Sequence, residues 1–569
     1  MAEIPIKVKH RGKLYDVDVN PESAGEELKM QLYSLTGVEP KNQKVMAKKM
    51  IKDDTPLSSL NLKPGSTIML IGSASVDMTI PEAPQVKMKF KEDMTDAELA
   101  QQEGAIPAGL QNMGNTCYAN ATLQALRAMP ELQQALTSYK PSPPSSSAPE
   151  PSMFTPEQLA QYGLGSFSTG ADLTAALRDL FRQMGETQQG FAPIMFLTAL
   201  RNRYPQFAER SKSGHGYAQQ DAEEVWTQLV LTLHETIKPE DGEENGEFKS
   251  WVDKYMGGKF EVMTTCNEAP EEDTTTETFH DLKCNIRGDT SHLSEGIRIA
   301  LDETLEKESP TLGRTATYTR KSRISRLPRY LPVHLIRFFW RKDTKKKAKI
   351  LRKVAFQHEI DVTAFCTEEL KKKLIPVRDK IREVRKEEED VERAKKRQKR
   401  KRKDMEDAAI QGDSKIRSDE PLQKRKEKAN AKASGSAKDA EPASEETFKT
   451  DAEIDAEHAE RILTMKKEAL EAVDPELKKD TQANQTGLYE LRGVVTHQGS
   501  SADSGHYTAY IKKTAQPGKA EDGMWWWFND DKVQEVGKDK IETLAGGGET
   551  HSALILLYRA VELPVLDKS

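Results

Sequence analysis

The spacing of apolar positions divides the chain before any composition is counted. Ile4, Ile6 and Val8 alternate with polar residues, and Lys13 to Val19 does the same across a turn at His10-Arg11-Gly12. That two-residue period marks a strand hairpin. Glu26 to Thr36 carries a helical period and stops near Gly37, with Pro40 just beyond. Lys44 to Met50 and Thr67 to Ile71 read as further strands, with a short turn at Leu57 to Leu62. Further along, Leu123, Leu126 and Met129 fall on one helical face, and helices are expected at Ala171 to Met184, at Ala192 to Arg201 and from Gly216-Tyr217 on to about Ile237. Tyr330 to Trp340 is the strongest strand signal, expected as one central core strand whose His334 is structural. Leu488 to His497, Gly505 to Ile511 and Trp525 to Val533 close the pattern as strands.

Composition modifies this picture in two places. With 569 residues, length alone allows about three or four domains. Charged residues make up 31% and hydrophobic ones 36%, a surplus of charge that implies solvated segments beside a sufficient core. The surplus concentrates at about 377–481, which includes the basic block Lys395 to Lys403 and the low-complexity run Lys432 to Lys438. This reads as an extended, partly helical and partly disordered insertion. Acids at Glu387 to Asp390 offset its field and no aromatics interleave for base stacking, so nucleic acid is not the expected partner. Ser73 to Gly104, with Pro81 and Pro84, reads as a linker. The N-terminus has no signal-peptide pattern and no run is long and apolar enough to span a bilayer, so a soluble, intracellular protein is expected. The net charge of −6 selects no partner class.

Four cysteines without a C-x-x-C pair argue against a disulfide framework or a zinc ribbon. Cys266 and Cys284 read as core or strand residues, and His280 beside them is too little for zinc; no metal and no cofactor are expected. Cys117 is different. It follows Gly114-Asn115-Thr116, with Asn115 or Thr116 as candidate N-cap, so it falls in the first turn of a helix. Unpaired N–H groups and the helix dipole there favour a thiolate and lower its pKa. Asn112, five residues earlier, is placed to aim an amide N–H at a developing oxyanion. A lone cysteine is otherwise usually core. His506, after Gly505 at the start of a strand, is a candidate base. Asn529 on the following antiparallel strand is placed to orient its ring, and Asp530 is the alternative; the residues alone do not choose between them. Asp221 near a helix start suits the dipole.

These segments carry a resemblance. Gly-Asn-Thr-Cys-Tyr at 114–118, Gln-Gln-Asp at 219–221, Gly-His-Tyr at 505–507 and Phe-Asn-Asp at 528–530 resemble the ubiquitin-specific proteases, in that family's order. Residues 1–76 resemble the ubiquitin fold, with Pro40 after the helix and Leu60-Asn61-Leu62 before Gly65. With Ser309-Pro310-Thr311-Leu312 and Ser325-Arg326-Leu327-Pro328, the chain is similar to proteasome-associated members of the family. The resemblance implies an α+β protein: a β-grasp ubiquitin-like domain at 1–76, a flexible linker at 77–104, and a papain-like fingers, palm and thumb body at 105–561. It implies cleavage after the C-terminal glycine of ubiquitin in conjugates and polyubiquitin, with recycling of ubiquitin. Carried over, Cys117 is nucleophile, His506 base and acid, Asn529 its orienter and Asn112 the oxyanion donor. Gln220, Asp221, Ser501, Ser504 and Gly505 contact the substrate tail. Met46, Met69 and Ile71 form an exposed docking patch, unless they are core, for the regulatory particle of the 26S proteasome. The small polar loop Ser500 to Ser504 is expected to be flexible and to restrain activity until docking. The implied location is cytoplasmic and nuclear, at the proteasome. The alternative is a mainly non-catalytic ubiquitin-binding scaffold.

Overall fold

The computed structural model describes residues 4–47, 49–60, 62–72, 94–102, 104–141, 172–211, 216–239, 248–341, 346–413, 451–501, 504–514, 521–548 and 550–566. The remaining segments, including most of the expected linker, the Pro/Ser-rich loop after Pro141 and the low-complexity run Lys432 to Lys438, lie outside the described residues. The chain forms two compact units, Met1–Asp93 and Met94–Ser569.

In the first unit the alternating strands Ile4–His10 and Lys13–Val19 pair as a hairpin. Strand Thr67–Ile71 runs parallel to the first, and Lys44–Met46 and Met50–Ile51 complete a five-stranded sheet. The period of two sends Ile6, Val8, Val17, Val45, Ile68 and Leu70 inward against Leu28 and Leu32 of helix Gly25–Thr36. Gly37 ends that helix in the left-handed conformation (φ 66°), its N–H returning to Tyr33 O at 2.9 Å. The same period leaves a row across the other face: Leu14 opposes Lys9, Lys9 adjoins Met69, Met69 opposes Met46 and Met46 opposes Met50. Met46, Met69 and Ile71 are exposed, so they are not core.

The second unit starts earlier than a linker through Gly104 requires. Thr95 caps helix Asp96–Ala100 with a capping box closed by Glu98, and Gln188 donates to Leu99 O at 2.8 Å. Its centre is an eight-stranded sheet. Across it run Lys532–Val536, Trp525–Asn529, Ser504–Lys512, Leu488–Ser501, Ser552–Ala560, Tyr330–Ile336 and Leu282–Asn285, with Glu359–Asp361 paired to Leu488–Ser501. A helical lobe that includes Cys117–Arg127, Leu173–Glu186 and Ala222–Thr236 shares one core with this sheet. A four-stranded sheet is built from Gly258–Cys266, Glu272–Phe279, Asp302–Ser309 and Arg314–Arg326. Cys266 and Cys284 are buried on strands, as expected. Among the described residues no helix is long and apolar enough to cross a membrane.

Further expectations change: the single strand expected over Lys44 to Met50 is two short strands paired with each other. The run from Tyr330 to Trp340 is not one strand. It breaks at Arg337, and Phe338–Arg341 forms a separate two-stranded sheet with Lys346–Lys349. The reason is the Arg337 guanidinium, buried and donating to the carbonyls of Arg352 (2.7 Å), Ala553 (2.8 Å), Ala545 (3.1 Å) and Ile350 (3.2 Å). His334 stays in the core strand, its Nδ1 3.2 Å from the Glu223 carboxylate. The change in composition at Val377 is also not a structural boundary. Glu368–Asp413 is one continuous helix through it, and Asp451–Glu471 packs back along it. Val377 and Ile381 are buried with Ala469, Val473, Leu488 and Val561, so the root of the hairpin belongs to the body. Beyond this root, exposed ion pairs such as Lys380–Glu468 (2.9 Å) join the helices, and such pairs contribute little each.

The root therefore rests on apolar burial. Ile381→Ala should weaken it by about 2–4 kcal/mol and speed protease cutting in the 382–413 and 451–470 segments. An unchanged cutting rate would show that the hairpin is held by something else.

Candidate active site

Cys117 is the first residue of helix Cys117–Arg127. The chain reaches it through two left-handed residues, Gly114 (φ 87°) and Asn115 (φ 56°), conformations that glycine and asparagine tolerate. Thr116 holds the N-cap position but does not cap with its side chain; its hydroxyl accepts from Met113 N at 2.9 Å instead. Asn112 organises this turn. Its Oδ1 accepts from the backbone N–H groups of Gly114 (3.0 Å) and Thr116 (3.1 Å), and its Nδ2 donates to Asp530 Oδ2 (3.0 Å). One amide N–H of Asn112 is thus committed to Asp530, and the second is available.

The helix packs on strand Ser504–Lys512, which carries His506. The backbone of Tyr507, next to His506, hydrogen-bonds the Cys117 sulfur. The sequence placed a thiolate here; the structure does not. Burial raises the thiol, and the nearby Asp530 carboxylate adds to that. Backbone N–H groups of Tyr507, Tyr118 and Cys117 itself pull the other way and lose, leaving a pKa of about 11. At neutral pH the sulfur is a thiol that needs a base.

His506 Nε2 lies 2.5 Å from Asn529 Oδ1. An amide oxygen only accepts, so Nε2 carries the proton and Nδ1 keeps its lone pair. Asp530 Oδ2 is 4.0 Å from the same nitrogen. Geometry therefore chooses Asn529 as ring partner. Asp530 has a different position in the network. Held left-handed (φ 53°), it accepts from Asn120 Nδ2 through Oδ1 (2.8 Å) and from Asn112 through Oδ2, and its carbonyl accepts from Leu110 N (2.9 Å). Asn120, three residues along the helix from Cys117, was not singled out by sequence reasoning. Its place on the same helix face as the sulfur was the available signal.

The remaining predicted contacts fall around this centre. Asp221 caps helix Ala222–Thr236, accepting from Glu223 N at 3.0 Å, and Gln220 donates to Gln206 O at 3.1 Å. Asn115 Nδ2 donates to Tyr217 O at 3.0 Å and so ties the cysteine turn to the segment before Gln220. Where a loop is expected before His506, the strands of a hairpin reach Ser501 and Ser504, paired with each other; residues 502–503 lie outside the described residues. Gly505 (φ 128°) is required there, since a Cβ would sit 2.6 Å from His497 Nε2. His497 is fully buried, and burial, then the Lys349 charge, push it down to about 3. Lys349 Nζ donates to His497 O at 2.7 Å.

Residues 108–558 match the ubiquitin carboxyl-terminal hydrolase family, and residues 6–75 match the ubiquitin family. The chain belongs to the ubiquitin carboxyl-terminal hydrolases. It is similar to ubiquitin carboxyl-terminal hydrolase 6 of Schizosaccharomyces pombe (39% identical, covering 98% of this chain and 99% of that one). It is also similar to hydrolase 6 of Arabidopsis thaliana (35%, 98% of each) and hydrolase 14 of Caenorhabditis elegans (28%, 98% and 93%). As a member of this family it is a cysteine-protease deubiquitinase with an N-terminal ubiquitin-like domain, and ubiquitin conjugates are its substrates.

The Asp530 charge is one of the groups holding the Cys117 thiol up. Asp530→Asn should therefore move the pH profile of Cys117 alkylation to lower pH, each unit raising thiolate at neutral pH about tenfold. A profile that stays in place or moves up would contradict this.

Proposed function

We propose that Cys117, His506 and Asn529 form the reacting unit and that the chain acts on ubiquitin conjugates at the proteasome. The observation that carries the reading is the Asn529–His506 contact beside a neutral, buried thiol. His506 Nδ1 takes the thiol proton as sulfur attacks the carbonyl carbon of ubiquitin's terminal glycine. The resulting tetrahedral oxyanion is met by the second amide N–H of Asn112 and the backbone at the helix start. Collapse expels the lysine amine, which receives the proton from His506, and leaves a thioester on Cys117. Water, deprotonated by the same imidazole, then releases the ubiquitin carboxylate and the thiol. Asn529 fixes the ring for both transfers, and Asp530 stabilises the imidazolium at 4.0 Å.

Gln220, Asp221, Ser501, Ser504 and Gly505 line the approach of the extended ubiquitin tail in this reading. The exposed row built on Met46 and Met69, with Ile71 beside it, docks the ubiquitin-like domain on the proteasome regulatory particle. Docking raises activity: the thiol is protonated at rest, and the hairpin tip at Ser501 and Ser504 restrains the tail channel until it is shifted. Recycling of ubiquitin, in cytoplasm and nucleus, follows from that association.

Ubiquitin carrying a C-terminal electrophile tests the unit. It should label Cys117, and the labelling rate should rise when proteasome is added and fall by at least about a hundredfold in His506→Ala. Labelling at another residue, or none with proteasome present, would overturn the assignment. An equal rate with and without proteasome would overturn the activation.

A further inference from the structure

Away from the cysteine, three side chains from three separate segments converge. His234 lies in the last turn of helix Ala222–Thr236, Asp253 in the short helix Trp251–Tyr255, and His280 directly after strand Glu272–Phe279. Both imidazoles aim Nε2 at the same oxygen: His234 Nε2 is 3.2 Å and His280 Nε2 3.3 Å from Asp253 Oδ1. The rings meet at 5.6 Å between centroids, and the three ligand atoms lie within 4.8 Å of one another. Among the described residues this is the one such group of three.

We infer that His234, Asp253 and His280 bind one divalent transition-metal ion of the zinc class, with water completing the coordination. The separations carry the argument. A tetrahedral ion with Zn–N and Zn–O bonds of about 2.0–2.2 Å puts its ligands about 3.3 Å apart. The two contacts to Asp253 match that edge. They are long for charge-assisted N–H···O⁻ hydrogen bonds, which run at about 2.7–2.9 Å. Imidazole nitrogen with one carboxylate suits zinc, cobalt, nickel or copper rather than calcium or magnesium. The side chains are 34%, 22% and 32% exposed, so an ion and its water have access.

Two of the three, Asp253 and His280, are also held in place by groups that owe nothing to a metal. Ser250 Oγ accepts from Asp253 N at 3.0 Å, and Arg326 donates to Asp253 O at 3.4 Å. Phe279, next to His280, is buried and stacks on Phe260 with centroids 4.0 Å apart. An ion here joins the helical lobe to the base of the four-stranded sheet. The cysteines take no part: Cys266 and Cys284 are buried in their own strands.

The test uses the full chain with Cys117→Ser, so that the reactive thiol does not contribute. Titration with Co²⁺ should produce visible d–d bands saturating at one ion per chain, and Zn²⁺ should displace it and raise the melting temperature. Asp253→Asn and His280→Ala, each checked by circular dichroism, should lose the bands and the Zn²⁺-dependent shift. His234→Gln is a third variant with the same expected outcome, for use if either of these fails to fold. No bands in the parent chain, or bands equally strong in the folded variants, would overturn the inference and leave the cluster as a hydrogen-bonded clip.

Discussion

The Asp530 carboxylate is where the halves of the active site are fastened together. One oxygen takes a hydrogen bond from Asn120 on the cysteine helix, the other from Asn112 in the turn before it, and Asp530 itself directly follows the strand that ends in Asn529. Each donor offsets part of the cost of burying this carboxylate, and removing either would leave the charge less satisfied. Helix, turn and sheet are thus registered by one residue about four hundred positions from the sulfur. The same charge holds the thiol up and faces the imidazole at 4.0 Å. It opposes ionisation of sulfur at rest and favours imidazolium once the proton has moved.

That balance explains why burial and reactivity coexist here. Cys117 is 3% exposed and belongs to the core shared by helices and sheet. The helix start supplies N–H groups, yet desolvation outweighs them. Nucleophilicity then depends on proton transfer to a neighbour rather than on a standing thiolate. In the proposed mechanism His506 takes that proton, its ring held by the Asn529 oxygen, which only accepts. Nearby, His497 is kept neutral by burial and by Lys349, so it adds no second charge beneath the hairpin.

Much of this was legible in the chain itself. Strand and helix periods outlined the first unit, and its resemblance to ubiquitin pointed to Met46 and Met69 as surface residues, which the alternation of the paired strands explains. The short motifs around Cys117, His506 and Asn529 marked segments that the fold packs together, the cysteine helix on the strand of His506 and Asn529 against the His506 ring. What was not legible is long-range. Nothing local in Leu488 to Ser504 announces that its strands continue to the tip. Arg337 breaks a strongly apolar run only because four carbonyls from three other segments converge on it. Charge composition marked Val377 as an edge, while burial against Ala469 and Val473 put it inside. The pKa of Cys117 was misjudged because the helix dipole is visible in sequence and desolvation is not. His234, Asp253 and His280 are separated by two other elements and converge only in the fold.

The central claim is that sulfur, imidazole and amide act as one unit. A cycle of kcat/KM values for His506→Ala, Asn529→Ala and the double variant tests it most directly. If Asn529 acts only through the ring of His506, the double variant should be no slower than His506→Ala alone. Losses that multiply in the double variant would mean that the two residues contribute separately, and would contradict the account.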